Sequence, residues 1–413
     1  MRRRVVVTGL GAISAMGIGV DTLWKGLLEG RSCGKLITKF DTEGYPCRVA
    51  AEISDFDPSL YIDKKELRYL DPSHQYGHVA AAEAIGDSGF INDDFDPERC
   101  GSIIGTAHGG ATTFIAQYEI MLNRGINKIS PFGVQMMFSD MPSALFAIKY
   151  NLRGPNHCTV AACASGTIAV GHSFRAIQHN EADIMVSGGT DSSLHPFSLA
   201  GFCREKAVTC RNDEPAAASR PFDKDRDGFL IGEGSGIVVL EELEHALKRN
   251  AKIYAEIIGY GATCDAYHRV APEPDGKAAA ESMRLAVEDA GIRLEDIDYI
   301  NAHGTATILG DVAETRAIKS LFGNHSYRLT ISSSKSMIGH LMGGAGGIEA
   351  LITTLSVKND KIHPTINLQN PDPECDLDYS ANRVTEKEIN YALSNSFGFG
   401  GRNAILVITK YRG

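Results

Sequence analysis

Apolar positions along this chain fall into two registers, short β-branched runs and longer stretches of helical period. The run at 5–8 is Val-Val-Val-Thr closed by glycines, which predicts a buried strand. Further strands are predicted at 102–105, 183–187 and 236–240. Helices are predicted at 23–28, 75–87, 168–179 and, from its charged pattern, 241–250. The series then restarts. A strand at 254–261 precedes an amphipathic helix at 276–290, strands at 299–301 and 329–333, a helix at 346–357 and closing strands at 391–394 and 404–409.

Strands alternating with helices predict an α/β architecture. Two internal echoes point to duplication. The segment from Gly101 to Gly109, with His108, matches that from Asp298 to Gly304, with His303. The strand-then-helix around Cys163 matches the one spanning 329–357. No Pro- or Ser-rich linker divides the chain, so the expected halves are 1–250 and 251–413, with the site where they meet.

Composition narrows the classes. Of 413 residues, 43% are hydrophobic and 22% charged, which is globular, and the net charge of −10 argues against a general nucleic-acid binder. Nine scattered cysteines form no CxxC pair, and their odd number does not fit a full disulfide framework. The basic start Met1-Arg2-Arg3-Arg4 is followed by a Gly-broken run too short for a signal peptide, and no apolar run approaches the length of a membrane helix. A cytoplasmic protein is expected.

Three residues carry candidate chemistry. Cys163 stands where a strand-like run meets a small-residue helix start, in Ala161-Ala162-Cys163-Ala164-Ser165-Gly166. Helix-start N–H groups lower a thiol's pKa, which predicts a nucleophile. His303 lies in Asn301-Ala302-His303-Gly304-Thr305-Ala306-Thr307 and His340 in Lys335-Ser336-Met337-Ile338-Gly339-His340. One cysteine with two histidines suits acyl transfer through a thioester. The wide separation of the histidines, with no obvious third ligand, is a poor zinc signature, and no metal is expected.

These motifs, with Val5 to Gly11, Arg153-Gly154-Pro155, Ser219-Arg220-Pro221-Phe222-Asp223, Gly232-Glu233-Gly234, Asp265-Ala266-Tyr267-His268 and Asn395 to Gly401, run in order over the whole chain. Together they resemble the β-ketoacyl-[acyl-carrier-protein] synthases of the elongating Cys-His-His type. The resemblance implies a thiolase-type five-layer αβαβα fold of two duplicated halves, usually a dimer. It implies a decarboxylative condensation of a Cys163-bound acyl group with malonyl-acyl carrier protein. No resident cofactor is implied, since the substrates carry phosphopantetheine on the carrier.

By the same resemblance, the backbone N–H groups of Cys163 and Phe399 form an oxyanion hole, and His303 and His340 stabilise the enolate. Lys335 orders the site electrostatically and pairs with Glu349. Thr305 and Thr307 meet the pantetheine arm or else cap a turn, and His268 belongs to the substrate site. Lys64, Lys65, Arg68 and Lys206 form a landing patch for the acidic carrier. Phe399 doubles as a gate.

The chain also departs from the pattern. Ile308 replaces a usual Pro and is expected to loosen a turn, and Arg269 adds charge near the entrance. His108 takes the place of an apolar gatekeeper, and Gly133 that of an aromatic reaching across the dimer. These changes predict a longer, unsaturated or poly-keto chain, in a specialised polyketide or polyene pathway. The Gly9-Leu10-Gly11 turn lacks the third glycine of a dinucleotide loop. A degradative thiolase would have a second cysteine near 398–400, and a starter-type synthase an Asn in place of His340. The remaining alternative is a non-catalytic, chain-length-setting subunit of a heterodimer, which would lack the nucleophile.

Overall fold

The computed structural model describes residues 2–413. Ten strands form its framework: β1 (Val5–Ser14), β2 (Cys100–Gly105), β3 (Asn156–Thr159), β4 (Ile184–Asp191), β5 (Gly234–Glu242), β6 (Ala255–Cys264), β7 (Tyr299–Asn301), β8 (Thr330–Ser332), β9 (Tyr391–Gly398) and β10 (Arg402–Thr409). The helices that matter here are α1 (Pro72–Ser88), α2 (Ala111–Arg124), α3 (Met141–Tyr150), α4 (Ser165–Gln178), α5 (Pro196–Glu205), α6 (Lys277–Ala290), α7 (Ile308–Phe322) and α8 (Ala345–Asn359).

The strands make two equivalent five-stranded sheets, in the orders β3-β2-β4-β5-β1 and β8-β7-β9-β10-β6. In the first, β2 runs parallel to β3 and β4, while β5 is antiparallel to β4 and β1. In the second, β7 runs parallel to β8 and β9, while β10 is antiparallel to β9 and β6. Antiparallel pairing of Val5–Val7 with Ala255–Ile257 joins them edge to edge. Both echoes seen in the sequence hold: β2 is the counterpart of β7, and β3-α4 that of β8-α8.

Helices α4 and α8 pack on each other between the sheets, α1 covers the outer face of the first sheet, and α6 with α7 covers that of the second. This is the five-layer αβαβα, thiolase-type architecture. Strands buried on both faces read as continuous apolar runs, which is why all ten residues of β1 are buried. Every residue of α8 from Ala345 to Val357 is buried. Its close crossing depends on glycine: a Cβ at Gly347 would fall 2.3 Å from both the Gly189 nitrogen and the Gly236 oxygen.

Three readings of the sequence need correction. The first strand continues to Ser14, because Gly9 and Gly11 sit within it rather than ending it. The charged segment at 241–250 is helical only over Leu243–Lys248. Glu241 instead belongs to β5, its buried carboxylate accepting from His245 Nδ1 (2.6 Å) and Arg249 Nε (2.7 Å). Helices α2, α3, α5 and α7 were not foreseen. Around α2 and α3, Phe114, Ile126, Val134 and Ile148 are exposed, and Asn156 and His157 of the edge strand β3 are open to solvent.

Candidate active site

Cys163 and His303 sit just past strand ends, and His340 follows a short helical turn (Lys335–Ile338) beyond β8. Cys163 follows β3 in a tight turn that needs Ala162 at φ 50°. Ser165 holds the turn, donating its hydroxyl to Ala162 O (2.6 Å) and accepting from the Ala161 N–H (2.9 Å). Helix α4 starts two residues beyond the thiol. His303 follows β7, and Glu314 of α7 fixes its loop. The Glu314 carboxylate accepts from His303 N (2.9 Å), Gly304 N (2.8 Å) and Asn395 Nδ2 (3.1 Å). His340 is held through its backbone, donating to Leu230 O (2.8 Å) and accepting from Gly232 N (2.9 Å).

These loops bring Cys163 Sγ and a ring nitrogen of each histidine within 4.8 Å of one another. The imidazole planes meet edge to face at 5.4 Å. His303 Nδ1 and both nitrogens of His340 are buried without a hydrogen-bond partner among the described residues. Buried polar atoms are rarely left so, and their clustering marks a place built for a ligand. The trio borders a cavity of about 360 Å³ whose wall also includes His108, Phe202, Phe229, Thr305, Thr307 and Phe399.

Electrostatics sets the protonation states. Burial, helped by Lys335, drives both imidazoles well below their ordinary 6.5, so both are neutral near neutral pH. Burial pushes the Cys163 thiol up to about 11, against the pull of the Phe399 and Cys163 backbone N–H groups and of Lys335. The depressed thiol pKa expected from the helix start is therefore not met. Ionising such a thiol at pH 7 costs about 5 kcal/mol, whereas the α4 dipole contributes at most about 2.

Lys335 and Glu349 lie behind the wall rather than on it. Both are buried and joined in an ion pair, as the resemblance implied. Burial raises the Glu349 carboxyl while the ammonium opposes the rise. Thr305 and Thr307 lie on the wall with hydroxyls 3.1 Å apart, and Thr307 also caps α7 by accepting from Gly310 N at 3.2 Å.

Other expected site residues fall elsewhere. His268 is exposed and off the wall; its Nδ1 accepts from Val270 N (3.1 Å) and Ala271 N (3.0 Å), bracing a loop whose Val270 and Ala271 do line the cavity. Gly133 opens a short helix on the exposed flank, outside this chain's cavity. Lys64, Lys65, Arg68 and Lys206 are exposed and form no ion pair among the described residues. The turn at Ile308 is not loose, because Arg226 donates to Thr307 O (3.0 Å) and Ile308 O (2.7 Å).

Sequence reasoning missed Glu314, hidden in an unforeseen helix, and Arg402, which lines the cavity and donates to Phe399 O at 2.8 Å. Sequence spacing was also no guide to metal binding, because the three donors converge in space. Other buried oxygens also lack partners, Asn301 Oδ1 and Ser394 Oγ among them. Asn301 and Ser394 face each other across β7 and β9.

A duplicated thiolase-type fold with one cysteine and two neutral histidines on a shared cavity defines a Cys-His-His acyl-transfer centre. Residues 2–246 match the β-ketoacyl synthase N-terminal domain and residues 254–369 its C-terminal domain. The chain belongs to the β-ketoacyl synthase family. It is 49% identical to 3-oxoacyl-[acyl-carrier-protein] synthase 2 of Synechocystis sp., covering 100% of this chain and 99% of the relative. It is 47% identical to the enzyme of that name from Coxiella burnetii, covering 99% of each. Among solved structures it resembles the ishigamide ketosynthase/chain length factor (TM-score 0.93, 37% identity) and a type II polyketide ketosynthase in complex with its acyl-carrier protein (0.92, 33%), covering 100% of each chain.

Proposed function

We propose that this protein catalyses the decarboxylative condensation of an acyl group on Cys163 with malonyl-acyl carrier protein, releasing CO2 and 3-oxoacyl-acyl carrier protein. The convergence of Cys163 Sγ with two partnerless neutral imidazoles carries the reading. Sγ attacks the carrier thioester, and the Sγ–H proton has an acceptor within reach in a neutral imidazole. The Cys163 and Phe399 N–H groups that face Sγ receive the developing oxyanion, each such donor contributing about 3 kcal/mol. The carrier thiol leaves. Malonyl decarboxylation then yields an enolate, whose oxygen takes N–H donation from His303 and His340. Neutral donors suit this step because they stabilise the enolate without protonating its carbon. The carbanion attacks the Cys163 thioester, its C–S bond breaks, and the expelled thiolate takes up a proton from solvent to regenerate the thiol.

Lys335 favours this reading over a metal at the trio. Its ammonium acts on both imidazoles and the thiol, and would repel a divalent cation at the same spot. Thr305 and Thr307 suit the pantetheine arm. Lys64, Lys65, Arg68 and Lys206 offer unpaired positive charge to an acidic carrier. The open edge of β3 and the apolar flank around α2 suit a second ketosynthase-type subunit, identical or not. A reducing cytoplasm would preserve the thiol; all nine cysteines are free.

The test is intact-protein mass spectrometry after mixing with acyl-carrier proteins and then malonyl-carrier protein. An adduct at Cys163 that disappears as a 3-oxoacyl carrier forms is the expected result. Absence of any adduct from every donor, with a partner subunit present and the thiol still accessible to a small reagent, would favour the non-catalytic alternative.

A further inference from the structure

Ring contacts lead along the cavity wall from His340 to Phe229 (5.6 Å), to Phe202 (5.3 Å) and to His108 (6.2 Å). His108 is the polar member of an otherwise apolar stretch that includes Ala107 and Met342. Behind it lies a hydrogen-bonded relay that the condensation does not use.

The relay begins at Asp191, fully buried at the end of β4. Its Oδ2 accepts from the backbone N–H of Ala107 (2.8 Å) and Gly343 (3.0 Å), and its Oδ1 accepts from the Ser193 hydroxyl (3.1 Å). A carboxylate only accepts, so the Ser193 proton is committed to it. Ser193 Oγ then has only lone pairs to offer His108 Nδ1, which lies 2.6 Å away and must carry a proton. Nε2 is the one ring nitrogen left for the cavity, and the side chain keeps 30% of its surface open.

We propose that His108, oriented by Ser193 and Asp191, is a specificity-determining residue that hydrogen-bonds an oxygen carried on the growing acyl chain. With the Nδ1 proton committed to Ser193, the neutral ring offers Nε2 as an acceptor to a chain hydroxyl and the protonated ring offers it as a donor to a keto oxygen, so the chain held on Cys163 is then a hydroxy- or ketoacyl chain rather than a plain hydrocarbon. This rests on the condensing function above and narrows its substrate class. A hydrocarbon lying along this wall would leave Nε2 unpaired, and sites built around a substrate hydrogen bond discriminate strongly against analogues lacking it. Burial alone would lower the His108 pKa, but the Asp191 carboxylate, 3.7 Å away, raises it above the ordinary 6.5 and favours Nε2 as a donor.

The experiment measures kcat/KM for Cys163 acylation, by intact-protein mass spectrometry, with pantetheine thioesters of one chain length. The acyl groups are saturated, or carry a keto or hydroxyl group at successive positions. The wild-type protein is expected to favour at least one oxygenated chain over the saturated one by about tenfold or more. His108→Leu should bring that ratio close to one, and Ser193→Ala should reduce it. Equal rates for saturated and all oxygenated chains in the wild-type protein overturn the proposal without any variant having to fold. So does a preference that survives in His108→Leu. If no thioester acylates Cys163, the condensing function falls, and this inference with it.

Discussion

The neutrality of His340 has a thermodynamic signature that can be measured without substrate. Its imidazole is buried beside Lys335 and stays unprotonated far below the ordinary 6.5. In the unfolded chain it takes up a proton as pH falls below about 6.5. The unfolded state therefore binds more protons, and the stability this group contributes is present above about pH 6.5 and lost below it. Between about pH 7 and pH 5 the loss is RT ln[(1 + 10^1.5)/(1 + 10^−0.5)], about 2 kcal/mol. His340→Asn removes the titrating group and keeps a polar side chain of similar reach. Stability from urea unfolding should therefore fall about 2 kcal/mol less in the variant than in the wild type over that interval. The remaining histidines are common to both proteins, and in the variant burial and Lys335 still hold His303 well below its ordinary value, so it cancels in the difference. Parallel declines would refute the reasoning. They would mean that His340 is protonated in the folded protein, and so cannot serve as a neutral donor to an enolate.

Alkylation of Cys163 by iodoacetamide should accelerate close to tenfold per pH unit from about pH 7 to pH 9 without a plateau, since burial holds the thiol near 11; a plateau near pH 7 would contradict this. Glu314→Gln turns an acceptor into a donor facing the backbone N–H of the His303 loop, at a cost of about 1–3 kcal/mol. It should slow malonyl decarboxylation more than it slows Cys163 alkylation. Lys335→Met strands the Glu349 carboxyl in the core and should cost about 3–5 kcal/mol, most of which Glu349→Leu should restore, as read from denaturation midpoints. Gly347→Ala drives a methyl group into backbone on two sides and should leave little soluble protein, as measured by gel filtration.

The trio was legible because its chemistry requires small neighbours. Glycine and alanine around Cys163, His303 and His340 stood out even before the resemblance was drawn. The duplication was legible because equivalent strands stay apolar in both halves. What hid was whatever a buried charge or an all-round apolar face disguises. Glu241 resembled the start of a charged helix because its partners, His245 and Arg249, come four and eight residues later. Helix α7 carries Asp311 and Glu314 on its buried side, so its polar pattern gave no amphipathic stripe. Helices α2 and α3 expose apolar residues that periodicity assigns to no face of this chain. His268 was misplaced because a motif conveys order along the chain, not which way a ring points.

The burial of α8 from Ala345 to Val357 bears on how the chain folds. Every residue from Ala345 to Val357 is buried, and the helix contacts strands of both sheets. Its apolar surface can be covered only when both halves are already in place, so neither half retains a complete hydrophobic interior without the other. Denaturation should then proceed as one cooperative transition rather than two. During synthesis the segment carrying Cys163 emerges 236 residues (399 − 163) before Phe399. A nascent chain thus exposes a thiol that has no oxyanion partner, and it acquires a working pocket only as the last strands close.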